Sequence, residues 1–354
     1  MKKVFFAFVF SVVLFSCKKD EEEIPMPAPG VTDETGYLHG KFVINEGSFL
    51  SNNASISYIN ASNAVTNDVY LQVNAVELGD VLQSFAVIGE RGYAVLNNSQ
   101  RVEVVNMRTM QHVTDFTVDY PRHILSIGGE KAYVTNGSGM GVVKVVNTTT
   151  NTITSEIPVG LGPERMLQVE GKVLVMNNGY GAGNSISVID IATDAVVNTI
   201  TLSDGPAQAI RDANGKVWVL CSGQVLYDDM WNVIGHSSAV LYKLDGTNFS
   251  QEAYFTIGSE GDHPGRLSVS PDGNTIYYLN NGLYAFSASD DTATGVLLIS
   301  DNCTSIDIDP ATGDIWSAGI SDFMNPSWVY HYTSTGSLID SLEVGIGASG
   351  VVFN

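Results

Sequence analysis

The chain has 354 residues, 44% of them hydrophobic and only 16% charged, which is enough apolar material for a large packed core. Its 38 acidic residues outnumber 17 basic ones, giving a net charge of −21. That balance argues against nucleic acid as a partner, because phosphate backbones are bound through a basic footprint; its plainest consequence is solubility.

The N-terminus reads as a targeting segment, residues 1–16, outside the fold. Lys2 and Lys3 precede an apolar run over 4–15 that is too short to span a bilayer. The run ends in Leu14-Phe15-Ser16-Cys17, which resembles a bacterial lipobox and implies lipidation of Cys17, although Phe15 is bulkier than the residue usual there. An ordinary cleaved secretion signal is the alternative. Lys18-Lys19-Asp20-Glu21-Glu22-Glu23 is a solvated charge run that also resembles the acidic export tag of some Gram-negative surface lipoproteins. Residues 17–36, with prolines at 25, 27 and 29, read as an acidic, proline-rich tether. The expected location is the outer membrane, facing the cell exterior, with membrane contact through the lipid anchor only.

Beyond the tether the chain repeats. Residues 122–163 and 164–206 each carry four short apolar runs separated by Gly, Asn, Asp and Thr clusters, and Pro121, Pro163 and Pro206 recur at intervals of 42 and 43. Four strands in a unit of that length predict a β-propeller blade, which cannot bury both faces alone and must pack in a ring. With strands lettered A to D from the ring axis outward, strand B is expected at 41–45, 92–97, 131–136, 172–177, 216–221, 275–280 and 314–318. Strand A is expected at 84–88, 123–127, 165–169, 208–212, 266–270, 304–308 and 350–354. Because the repeat opens on a strand B and stops after a strand A, the C-terminal strand is expected to complete the first blade and close the ring. The predicted architecture is all-β: a seven-bladed β-propeller of four-stranded antiparallel blades over 37–354. Cys221 and Cys303 fall in different blades and are expected to be unpaired, buried small residues.

This pattern, with the literal Tyr133-Val134-Thr135-Asn136, resembles the YVTN-repeat family of seven-bladed propellers. The likeness implies a fold and almost nothing about chemistry, since propellers host many functions.

Function is expected on the face formed by the B–C loops and D–A crossings, where the connections are long and irregular. The interval from Pro206 to Pro264 is 58 residues, and the excess lies in the fifth B–C loop, 222–237. Phe49, Tyr180, Tyr227, Trp231, Phe323 and Trp328 on these loops are candidates for a stacking platform, or else each packs its own loop onto the disc. Glu46, Arg122, His123, Arg165, Gln208 and Arg266 are candidates around the central funnel. The three arginines are placed either to meet an anion or to pair between blades. No HExxH, GxSxG or phosphate loop occurs, so neither catalysis nor a cofactor or metal is expected; a lactonase-like metal hydrolase using Glu46 and strand-ending asparagines is an alternative.

One further likeness is more specific. Val43-Ile44-Asn45-Glu46-Gly47-Ser48-Phe49, followed by Ser55-Ile56-Ser57-Tyr58, resembles a subset of these propellers that are surface lipoproteins and include cobalamin-binding members serving TonB-dependent vitamin B12 transporters. The resemblance implies a corrinoid ligand held on the loop-rich face and passed to an outer-membrane TonB-dependent transporter. A glycan- or protein-binding surface module is the other reading.

Overall fold

The computed structural model describes residues 36–137, 141–301, 303–319 and 321–354, and the structural statements below concern those residues. The expected signal segment, Cys17 and all of the tether but Gly36 lie outside them. Seven four-stranded antiparallel sheets form the ring. The third blade shows the pattern: Pro121–Ser126, Lys131–Asn136, Val142–Asn147 and Thr152–Pro158 run in order from the axis outward. The first blade is assembled from both ends of the chain, with Ala348–Phe353 as its inner strand against Lys41–Asn45. This closure removes the two open sheet edges that would otherwise seed aggregation.

Burial explains why each run folds as it does. Every strand B is buried on both faces, as in Lys172–Asn177, because it is sandwiched between neighbouring blades. The outermost strands, such as Ala195–Thr201, are largely exposed. The core consists of seven apolar clusters among the described residues, each bridging two consecutive blades. Trp218, fully buried between blades five and six, is an example: its ring packs edge-on against Phe286 at 5.4 Å, and its Nε1 donates to Asp212 at 2.9 Å. Cys221 lies in the cluster between blades four and five, where burial pushes its thiol up. Cys303 is only half-buried, so the expectation of a fully buried thiol fails there; both cysteines are unpaired.

Two strand-ending asparagines have a different job from the turn-local one their position suggests. Asn45 Nδ2 donates to Ser55 and Ser57, and Asn177 Nδ2 to Ser185 and Ser187, at 2.9–3.2 Å. In each case the second serine also receives the N–H of a glycine from the preceding blade, Gly345 or Gly160, at 3.3 Å. A Cβ on either glycine would come within 2.6 Å of the asparagine side chain. The same blade-to-blade lock is thus built twice.

Candidate functional site

The two faces of the disc differ. One carries the A–B and C–D turns, which are short; the other carries the B–C loops and D–A crossings. The fifth B–C loop forms a hairpin of its own, Val225–Tyr227 paired with Val233–His236. Its base is fastened to the crossing into the sixth blade by two histidines. The Ser222 carbonyl accepts a hydrogen bond from His263 Nδ1 at 2.9 Å, leaving His263 Nε2 to accept from His236 Nδ1 at 3.0 Å.

Four loops end in exposed apolar residues held in the left-handed backbone region: Leu50 (φ 64°), Tyr180 (φ 58°), Trp231 (φ 63°) and Phe323 (φ 57°). Bulky side chains avoid this region, and holding one there costs on the order of 1–3 kcal/mol. Each tip is braced by a carboxylate or amide that accepts backbone N–H groups. Asp228 takes Met230 at 2.8 Å and Asn232 at 2.9 Å beneath Trp231, and Asp322 takes Met324 and Asn325, both at 2.8 Å, beneath Phe323. The Asn232 side-chain amide, with these backbone bonds, holds the Asp228 carboxyl below the usual range, and the backbone bonds to Asp322 do the same there. Asn178 takes Gly181 at 2.9 Å below Tyr180, and Asp80 takes the Leu50 N–H at 2.9 Å. The turns spend hydrogen bonds to push aromatic rings into water: Trp231 is 80% exposed, Tyr180 73% and Phe49 67%.

The tips fall into two groups rather than one platform. Tyr227 and Trp231 face each other with centroids 5.8 Å apart, and the Tyr180 loop lies alongside them, Gly181 abutting Gln224. Tyr180 also donates to the Gly137 carbonyl at 2.8 Å. In the ring these belong to blades four and five. The second group joins blades seven and one, where Ser48 bonds the Phe323 carbonyl and the Phe323 ring covers Gly347, with Phe49 next to Ser48. Trp328 sits on the strand leaving that loop, Pro326–Tyr332, not in the loop itself, and is 43% exposed.

Between the groups a polar well descends along the ring axis. Its cavity, about 200 Å³, is lined by strand A residues including Gln83, His123, Arg165, Gln208, Arg266 and Asp307. The three arginines, equivalent in sequence, stand in three situations. Arg122 makes a forked pair with Glu164 of the next blade, at 2.8–3.0 Å. Arg266 donates to the Thr304 and Ser349 carbonyls at 3.0 and 3.4 Å. Arg165 makes no hydrogen bond or ion pair among the described residues. Burial, then the charge of Arg266, lowers its guanidinium to about 9. Burial and the surrounding arginines keep His123 neutral, well below the ordinary histidine range. Burial raises the carboxyls of Glu46 and Asp307; a hydrogen bond from Ser349 to Glu46 and one from the Val351 N–H to Asp307 (2.8 Å) oppose the rise.

Six of the sequence candidates therefore gather around the well (Glu46, Arg122, His123, Arg165, Gln208 and Arg266), while the six aromatics stand on the B–C loops and, for Trp328, on the strand that follows one. Asp307, Ser349, Leu50, Met230 and Met324 belong with them and were not singled out by sequence. For the two methionines the repeated pattern of Asp, aromatic-and-Met, Asn in 228–232 and 322–325 was an available signal. Among the described residues no group of three His, Cys, Asp or Glu side chains is arranged to hold a metal ion, and no helix is long and apolar enough to cross a membrane.

A family model described as "Domain of unknown function (DUF5074)" matches residues 39–345. No curated protein matches the chain. Among solved structures it is similar to a hydrazine synthase chain of Kuenenia stuttgartiensis, with 17% identity, 82% of this chain and 97% of that one covered, and a TM-score of 0.64. It is also similar to a quinonprotein alcohol dehydrogenase-like protein of Bacteroides thetaiotaomicron, at 14% identity over 90% and 78% of the two chains, TM-score 0.65. A putative 6-phosphogluconolactonase of Bacteroides fragilis matches at 13% identity over 92% and 99%, TM-score 0.64. At these identities the likeness concerns the fold alone.

Proposed function

We propose that this chain, which belongs to the DUF5074 family, is a binding module that captures its ligand on the loop face. The observation that carries this reading is the set of strained, braced and exposed aromatic tips on either side of a polar well. Left-handed backbone at Trp231 costs stability, and its ring, 80% exposed, recovers little of it by packing. Ligand contact gives that expense a purpose. Two apolar groups set apart on one face suit a broad ligand with a flat or apolar body, and a corrinoid has that character. The resemblance of the first blade to cobalamin-binding surface lipoproteins favours the same choice.

In this reading Cys17 carries the lipid, residues 17–36 are the tether, and the protein stands on the outer membrane facing the exterior. The described chain begins at Gly36 against the Arg108 carbonyl, on the turn face. A tether leaving from there points the loop face away from the anchoring membrane, ready for capture. Twenty residues reach at most about 70 Å when fully extended, enough to let the disc tip over and present its ligand to a TonB-dependent transporter beside it.

Calorimetric titration of residues 30–354 with cyanocobalamin, alongside a panel of oligosaccharides, tests the proposal. Saturable one-to-one binding weakened by Trp231→Ala supports corrinoid capture. Absence of heat at high micromolar cyanocobalamin removes it and leaves glycan or protein binding, which the exposed Met230, Trp231 and Met324 tips also suit. A metal-dependent hydrolase using Glu46 and strand-ending asparagines is the second alternative, and bound Ca²⁺ in the purified protein would favour it.

A further inference from the structure

We propose that the central well is a second, separate site that takes a carboxylate group, gripped by Arg165 together with the side-chain amides of Gln83 and Gln208. The inference goes beyond the capture reading, since it needs neither the apolar tips nor a corrinoid.

Around this one cavity, hydrogen-bond donors are left over. Arg165 offers five N–H groups in a planar fork and uses none of them on the protein among the described residues. Gln208 accepts the Leu267 N–H through its carbonyl at 3.3 Å, so its amide nitrogen still has both donors to give. Gln83, on the same wall, makes no hydrogen bond among the described residues. The other charged side chains already make hydrogen bonds: Arg122 with Glu164, Arg266 with two carbonyls, and Asp307 with the Val351 N–H. What is left over is the donor capacity of Arg165, which Asp307 and Glu164 attract without bonding it, and a forked guanidinium matches an oxyanion in two parallel bonds.

Size and charge narrow the ligand. A cavity of about 200 Å³, against about 30 Å³ for each water in the liquid, has room for an acid of a few carbons or one acidic arm of a larger molecule. Asp307 lines the same cavity and Glu46 stands beside it, so a singly charged carboxylate is favoured over a doubly charged phosphate. Holding an unpaired guanidinium here is costly, as its lowered pKa attests, and a bound carboxylate offsets that cost.

The test is titration of the 30–354 chain with acetate, succinate and inorganic phosphate, followed by calorimetry and by the rise in unfolding temperature. Saturable binding of a carboxylate is expected, at least tenfold weaker in Arg165→Gln and partly kept in Arg165→Lys, which retains charge without the fork. Should Arg165→Gln fail to fold, Gln208→Leu serves in its place and is expected to weaken binding severalfold. Trp231→Gly, at the mouth, is expected to bind the carboxylate as the parent does. No saturable binding of either acid overturns the proposal, as does binding that Arg165→Gln and Gln208→Leu leave unchanged. Phosphate bound tighter than both acids overturns the assignment to carboxylate, and loss of acid binding in Trp231→Gly overturns the separateness of the two sites. Cyanocobalamin titrated into the same samples reports on the capture reading independently.

Discussion

The two faces of the ring use the same local chemistry for opposite ends. On the turn face, Asp190, Asp245 and Asp272 accept backbone N–H groups of their own turns, and what they support is polar: Ala192-Thr193, Thr247-Asn248, Gly273-Asn274. On the loop face, Asp228 and Asp322 make the same kind of turn, yet the residues lifted are Met230-Trp231 and Phe323-Met324. An Asx turn stabilises a reversal of the chain and is indifferent to what the tip carries. The difference lies in the cargo, and apolar cargo set out in water on four of seven blades marks the face that meets something else.

If the turn face and the interior are structural, damage there should cost stability and spare binding. The largest effect is expected from Trp218→Ala, which empties a fully buried site between two blades and leaves Asp212 without its indole donor. A loss of about 3–5 kcal/mol is expected, read from urea unfolding. Asn177→Ala removes both serine bonds of one blade-to-blade lock and should cost about 1–2 kcal/mol. Asn45→Ala should behave alike, and a ring opened at the first blade should unfold with the same cooperativity.

Acid should act most strongly through the turn face, where the two most depressed carboxyls lie. Backbone N–H bonds hold Asp245 at about 2, and Ser270 and Asn274 hold Asp272 there as well, against about 3.9 for an unfolded Asp. Groups depressed on folding contribute stability that is complete above pH 4 and lost as pH falls towards 2. Circular dichroism against pH should therefore show a plateau above about pH 5 and an acid limb below 4 that Asp272→Asn makes shallower. Glu46 and Asp307, raised by burial, work in the opposite sense, because protonation relieves them.

The smallest stability change, with the opposite sign, is expected on the loop face. Trp231→Gly and Phe323→Gly each release a left-handed strain and should raise stability by up to about 1 kcal/mol, a gain seen as a higher unfolding temperature. A loop face that served only the fold would lose stability instead.

The ring was legible in the sequence because a blade repeats and its strands alternate or bury in runs. Strands A and B stand within about three residues of where the pattern puts them, and the closing strand Ala348–Phe353 pairs with Lys41–Asn45 as the phase of the repeat demands. What sequence hid were relations between distant segments. The strand-ending Asn45 looked local, yet its lock includes Gly345 from the other end of the chain. Arg122, Arg165 and Arg266 looked equivalent, and only the packing of neighbouring blades decides that one is paired, one is shared between carbonyls and one is left over. The six aromatic candidates did prove exposed, but nothing in their spacing foretold two groups on opposite sides of the well.

The most direct test of the central claim pairs one ligand with variants from both faces. Cyanocobalamin is titrated into the parent domain, Trp231→Gly, Phe323→Gly and Asp272→Asn. The account predicts saturable binding that falls at least tenfold in both loop-face variants, although they are the more stable proteins, and is unchanged in Asp272→Asn. Binding that survives both loop-face changes, or that Asp272→Asn weakens as much as they do, would contradict it.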